Sequence, residues 1–362
     1  MRDSKNKALL KSVSVILLGS ALSSVLLAPA AEARDSGDWF PGNDSEMVNV
    51  PGTTDSTFDS RVEPLVGPRE HSTVDYVGSM GPITGGNRKG ITKFGPLAPS
   101  YDDSAAEGTA AVEKSFSDHN SHGGQRQPVI WTGYSQGSEV LGDGAERAAD
   151  KGEVAEGDRI LLLADPRSPW GIHQTATTPA GRAVLGSVGF TPKGARNPAD
   201  TGDAQVTEVV MKSDPTANTQ WDPSRPAESI AVNLVGQTMV HGGVSPTNYA
   251  YALDPSSVED AKYYKSVEGN TTYAVVDTPH PFTLAQEKAY HDLGIEYTDE
   301  DVDSWEQRWQ EYYPISEPTP ENAAVPMRPA TRQELEQSLP PKDCQPADVS
   351  EDERMPLESA TQ

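Results

Sequence analysis

The residues best placed to do chemistry lie in Gly133-Tyr134-Ser135-Gln136-Gly137, which joins the apolar run Pro128-Val-Ile-Trp131 to a stretch rich in Ala and Glu, Gln136 to Lys151. A G-x-S-x-G between a strand and a helix is the pattern of a nucleophile elbow. The serine takes a strained backbone to point its hydroxyl outward, and glycines two residues to either side remove side chains that would collide in the turn. The helix behind the turn would present the Gln136 N–H and the positive end of its dipole to a developing oxyanion. A serine hydroxyl is a weak nucleophile until a base takes its proton, and the base needs a carboxylate to fix its tautomer.

In chains of this type the acid and then the histidine follow the serine. Asp214, in Lys212-Ser-Asp-Pro215 at the end of a β-rich run, fits the acid; Asp165 after Leu161 to Ala164 is its rival, and Asp222 a weaker one. Asp-Pro at a strand end is also an ordinary turn. Four histidines lie downstream. His241, in Val240-His-Gly-Gly243, follows a helical pattern from Ser229 to Met239; His280, in Asp277-Thr-Pro-His-Pro281, follows a late strand pattern. Residue pattern alone does not choose between them, whereas His173 and His291 read as packed or surface side chains.

These residues need a scaffold. β-rich runs at Val74 to Val77, Ile91 to Phe94, Pro128 to Thr132, Arg159 to Ala164, Val206 to Lys212 and Thr271 to Val276 alternate with helical patterns such as Ser104 to Ser117. That alternation predicts a parallel sheet flanked by helices. Residues 34–70, rich in Gly, Pro, Asp and Ser, read as an extended arm, and the folded domain as 71–313. Within it, 166–205 is long for a plain connection and reads as lid-like. Thr298 and Asp301 open a helix as a capping box would, with Val302, Trp305, Trp309 and Tyr312 on one face. Residues 314–362 are acidic and Pro-rich, a composition that predicts a disordered tail.

Residues 1–33 have the form of an export signal: Arg2, Lys5, Lys7 and Lys11 precede an apolar run, and Ala31-Glu32-Ala33 supplies a small-x-small cleavage pattern. No later stretch is apolar enough to span a bilayer, so the expectation is a secreted or envelope-associated chain without a transmembrane segment. The net charge of −25 argues against a nucleic-acid partner, and the single cysteine, Cys344, excludes an intramolecular disulfide or a Cys-based zinc site. No metal or cofactor is expected. Asp299, Asp301 and Asp303 imitate a calcium loop, but Ser304 and Gln310 stand where Gly and Glu are needed. His119 and His122 have no third ligand in view.

Several further motifs, in order, resemble the PE-PPE domain of actinobacterial envelope proteins, a branch of the cutinase-like serine hydrolases. They are Gly133-Tyr-Ser-Gln136, Leu163-Ala-Asp-Pro166 with Pro169-Trp-Gly-Ile172, Asn197-Pro-Ala-Asp-Thr201, Asn233-Leu-Val235 ahead of Met239-Val-His-Gly242, and Thr271-Thr-Tyr273 leading to Thr278-Pro279. The resemblance implies an α/β-hydrolase, cutinase-like, three-layer fold with a mostly parallel central sheet. It implies Ser135, Asp214 and His241 as catalytic residues, with Asp165 structural and His280 outside the site. By the same analogy the oxyanion hole joins Gln136 to Ser79, in Gly78-Ser-Met-Gly81, with the Met80 N–H as alternative. Ser213 replaces the family's tyrosine before the acid, and Gly137 a common serine. The implied activity is hydrolysis or transfer of acyl esters, with envelope glycolipids as expected substrates. A second reading is a noncatalytic envelope protein that keeps the fold to bind glycolipid or a protein.

Overall fold

The computed structural model describes residues 46–55, 69–86, 97–121, 129–154, 157–175, 179–242, 249, 260–331 and 333–334. The expected signal at 1–33, the strand expected at Ile91 to Phe94, and Cys344 lie outside these residues.

The strands are β1 Glu46–Val50, β2 His71–Thr73, β3 Val129–Tyr134, β4 Arg159–Leu163, β5 Gln205–Met211, β6 Lys262–Ser266, β7 Thr271–Val276 and β8 Met327–Ala330. They form one sheet in the order β2-β1-β3-β4-β5-β7-β6-β8. The six strands from β2 to β7 in that order are parallel, and β6 and β8 add an antiparallel edge. The helices are α1 Tyr101–Ser121, α2 Gln136–Asp150, α3 Ile172–Thr175, α4 Pro179–Gly186, α5 Pro226–Gly236, α6 Pro281–Asp292 and α7 Asp299–Tyr312.

The central strands are apolar on both faces because both are covered. Along β4, Ile160 and Leu162 join the cluster beneath α1 and α2, while Leu161 and Leu163 join the opposite cluster with Val240 and Leu284. This is the period-2 alternation of a strand packed between two helical layers. α1 and α2 approach closely at Gly144, where an added Cβ would lie 2.4 Å from Val112 Cγ1. The capping box at Thr298 and Asp301 is present, and Trp305 of α7 buries against Tyr290 of α6. No described helix is long and apolar enough to cross a membrane.

Three boundaries differ from expectation. The 34–70 segment is not simply an arm, because β1 pairs with β3 in the interior of the sheet and its Met47, Val48 and Val50 are core residues. The 314–362 tail begins as folded chain. Ile315 is buried, Asn322 Oδ1 accepts the Trp170 indole N–H at 2.8 Å, and β8 pairs with β6. Segment 166–205, expected to be lid-like, is pinned to α2 by ion pairs: Arg167 and Arg196 reach Asp143 at 2.7 and 3.1 Å, and Lys193 reaches Glu139 at 2.6 Å. The elbow is therefore braced from behind.

Candidate active site

Ser135 stands between β3 and α2 with φ 57° and ψ −127°. A non-glycine residue at positive φ is strained and persists only where its surroundings hold it. Here the Ser135 N–H donates to Leu163 O at 3.0 Å, and the Ser138 hydroxyl donates to the same carbonyl at 2.7 Å while accepting the Leu163 N–H at 3.0 Å. The two glycines of the motif are required by contact. A Cβ on Gly133 would lie 2.7 Å from Gly137 O, and one on Gly137 would lie 2.0 Å from Val50 O.

Asp214 and His241 arrive from separate elements. Beyond β5 the chain turns so that the Asp214 N–H donates to Met211 O at 3.0 Å and the Asn218 N–H to Asp214 O at 2.8 Å. The carboxylate is buried, and its Oδ1 accepts the Thr216 N–H at 2.8 Å. α5 runs on into a wider turn, Gln237–His241, closed by the Gly242 N–H on Gln237 O at 2.9 Å. That turn brings His241 to the elbow. Its Nδ1 lies 3.1 and 3.0 Å from the two Asp214 oxygens, and its Nε2 lies 2.8 Å from Ser135 Oγ. An ionised carboxylate only accepts, so Nδ1 carries the proton and Nε2 is free to accept from the serine hydroxyl.

Two tyrosines complete the arrangement, and neither was anticipated from the sequence. Tyr134, inside the elbow motif, stacks on the His241 ring at 5.1 Å and donates its hydroxyl to His241 O. Tyr249 donates to Asp214 Oδ2 at 2.5 Å. Nothing in the spacing marks Tyr249, which approaches the acid only through the fold.

The alternatives are held elsewhere. His280 caps α6: its Nδ1 accepts the Phe282 N–H at 3.1 Å and its Nε2–H donates to Tyr313 O at 3.0 Å, which makes it a neutral buried imidazole. Burial also lowers its pKa. Asp165 accepts the Arg167 N–H at 3.0 Å and pairs with Arg196 Nε at 3.2 Å. Asp222 accepts Ser224 N–H and Oγ–H in a local turn. His173 donates through Nε2 to Glu139 at 3.0 Å, and His291 is exposed.

The Ser79 assignment needs correction. Its N–H donates to Ser104 Oγ at 3.0 Å, its hydroxyl to Pro99 O at 2.9 Å, and its carbonyl accepts the Gln136 amide at 3.1 Å. Ser79 buttresses the Gln136 side chain and has no donor left for an oxyanion. The Met80 N–H is likewise engaged, on Thr84 O at 3.2 Å. The loop after β1 passes close to the elbow, where a Cβ on Gly52 would lie 3.4 Å from Ser135 Cβ.

The sequence matches the PE-PPE domain model over residues 68–286, more than half of the chain. The chain belongs to the PE-PPE domain family. The matched span contains Ser135, Asp214 and His241, and the sheet order with its helices on both faces is that of an α/β hydrolase. No curated protein matches the chain in sequence. Among solved structures it is similar to YbtT, a type II thioesterase of the yersiniabactin pathway, at 11% identity, covering 74% of this chain and 95% of that one with TM-score 0.33. It is similar also to the RedJ thioesterase of the prodiginine pathway in Streptomyces coelicolor, at 14% identity, 76% and 97% coverage and TM-score 0.29. The esterase Pf2001 of Pyrococcus furiosus aligns at 13% identity, with 70% and 80% coverage and TM-score 0.30.

Proposed function

We propose that this PE-PPE chain is an exported serine hydrolase that cleaves or transfers acyl esters through an acyl-enzyme on Ser135. One observation carries the reading: a serine at positive φ whose Oγ is 2.8 Å from a histidine that is itself bonded to a buried aspartate. A serine serving only as a turn residue needs neither partner.

In the first half-reaction Ser135 Oγ attacks the ester carbonyl as His241 Nε2 takes its proton. Asp214 holds the imidazole in the Nδ1–H tautomer and stabilises the imidazolium. The Gln136 N–H, at the first residue of α2 and ahead of the first intrahelical donor at Ser138, would donate to the oxyanion. His241 then returns the proton to the departing alcohol, and the Ser135 ester forms. Water, or a sugar hydroxyl, activated by the same imidazole, resolves it. Export through residues 1–33 would bring the enzyme to envelope (glyco)lipid esters.

Turnover of a p-nitrophenyl ester series by the wild type, beside Ser135→Ala, tests the activity and ranks acyl lengths. Release of nitrophenol that disappears in the variant is expected. No release by a folded wild type over the whole series contradicts the proposal.

A further inference from the structure

We propose that Tyr249 is a positioning residue of this site, its phenol O–H holding the Asp214 carboxylate in line with His241. The inference rests on the serine hydrolase reading above, and it adds a residue that lies beyond the three-residue constellation.

Tyr249 is fully buried in the apolar cluster of Met47, Ile130, Leu163, Val209, Met211 and Val240. A phenol in such surroundings requires a polar partner, and this one bridges two groups at the end of β5. It donates to Asp214 Oδ2 at 2.5 Å and accepts the Met211 N–H at 3.4 Å. Burial, and next the Asp214 charge, push the phenol well above its ordinary range, so it stays a donor throughout the working pH range. Oδ1 is served by Thr216 N–H; without Tyr249, the only donor to Oδ2 among the described residues is the imidazole that the carboxylate must orient. A buried carboxylate short of a donor turns to satisfy itself, and its alignment with the histidine is lost.

The second consequence is electrostatic. A hydrogen bond from Tyr249 draws charge density away from the oxygen that faces Nδ1. Removing it concentrates the carboxylate charge on the imidazole and favours the imidazolium. Among the described residues, the other titratable group against this pair is Tyr134, on β3, whose ring lies 5.1 Å from His241 and 5.9 Å from Tyr249. Lys212, two residues before the acid, turns away to Asp277 at 2.8 Å.

Tyr249→Phe in the full chain keeps the ring that fills the core and removes only the hydroxyl. Two readouts are compared with wild type: kcat and KM for p-nitrophenyl butyrate as a function of pH, and the NMR titration of the His241 ring, assigned by its loss in His241→Gln. The expected result is a kcat lower by about 10-fold with KM within about twofold. The acid limb of the rate profile and the His241 midpoint both move to higher pH by about half a unit. Site-specific 3-fluorotyrosine at position 249, a stronger donor of nearly the same shape, moves the midpoint the other way and carries little folding risk. An unmoved His241 midpoint in both proteins overturns the proposal, whatever the melting temperature does. A moved midpoint in a protein that turns over no ester leaves Tyr249 in its role and removes the esterase reading instead.

Discussion

Ser135 is held at φ 57° by bonds to Leu163 and by the absence of side chains at Gly133 and Gly137, so its hydroxyl meets His241 without an entropic search. The same economy sets what Asp214 must do. Asp214→Asn keeps the shape but offers an N–H donor where the Nδ1–H needs an acceptor, which favours the wrong tautomer. A fall in kcat on the order of 10³–10⁴-fold with KM little changed is expected in ester assays. A loss below about 10-fold would show that Asp214 does not orient the base. The serine was legible from its motif alone because glycines at two fixed offsets, between a strand and a helix, match the steric demands of an elbow and of few other turns. The histidine was not, since His241 and His280 both close plausible segments; what separates them is that one ring reaches Ser135 while the other caps α6 and bonds Tyr313 O. Ser79 was misleading for a related reason, because the loops that lie beside the elbow follow from which strand neighbours β3, and that strand is β1.

At the scale of elements, the central strands β3, β4, β5 and β7 were readable because they are apolar on both faces. β1 has five residues amid Gly, Pro and Asp, and β8 contains Pro329, which an outer strand tolerates because, among the described residues, no strand pairs with its outer edge. Both were hidden by composition. The bracing of α2 is also a product of the fold: Tyr101, His173 and Lys193 converge on the buried Glu139 from three separate segments. Burial alone would raise the Glu139 pKa, but the hydrogen bond from His173 and the charge of Lys193 outweigh it and hold the group at about 2. Asp143 is depressed as well: burial opposes it, but Arg196, Arg167 and Lys193 prevail. A depressed carboxyl stabilises the fold fully above its unfolded pKa, and that stability is lost as pH falls through the folded value. Melting temperature should therefore fall as pH drops from the ordinary 4.5 of Glu139 towards about 2. Glu139→Gln should melt lower at neutral pH and show a flatter acid limb; a variant that melts with the wild-type pH dependence would refute the bracing.

For the molecule as a whole, the folded chain extends past the point where its composition turns acidic and Pro-rich. A chain ended after Glu334 keeps β8 with its Arg328–Glu334 ion pair and is expected to melt with the wild type, whereas one ended after Tyr313 loses β8 and the buried Ile315. The shorter chain should be less stable by ~3 kcal/mol, read from urea unfolding. Equal stability of the two truncations would show that β8 adds nothing to the sheet. The proposed acyl-enzyme and the proposed ester substrates both depend on one centre being reactive. The most direct measurement is intact-mass and peptide-mapping spectrometry after treatment with a fluorophosphonate. The account predicts a single adduct on Ser135, absent in Ser135→Ala and strongly slowed in His241→Gln. A folded wild-type protein that stays unmodified, or is modified at another serine, would contradict it.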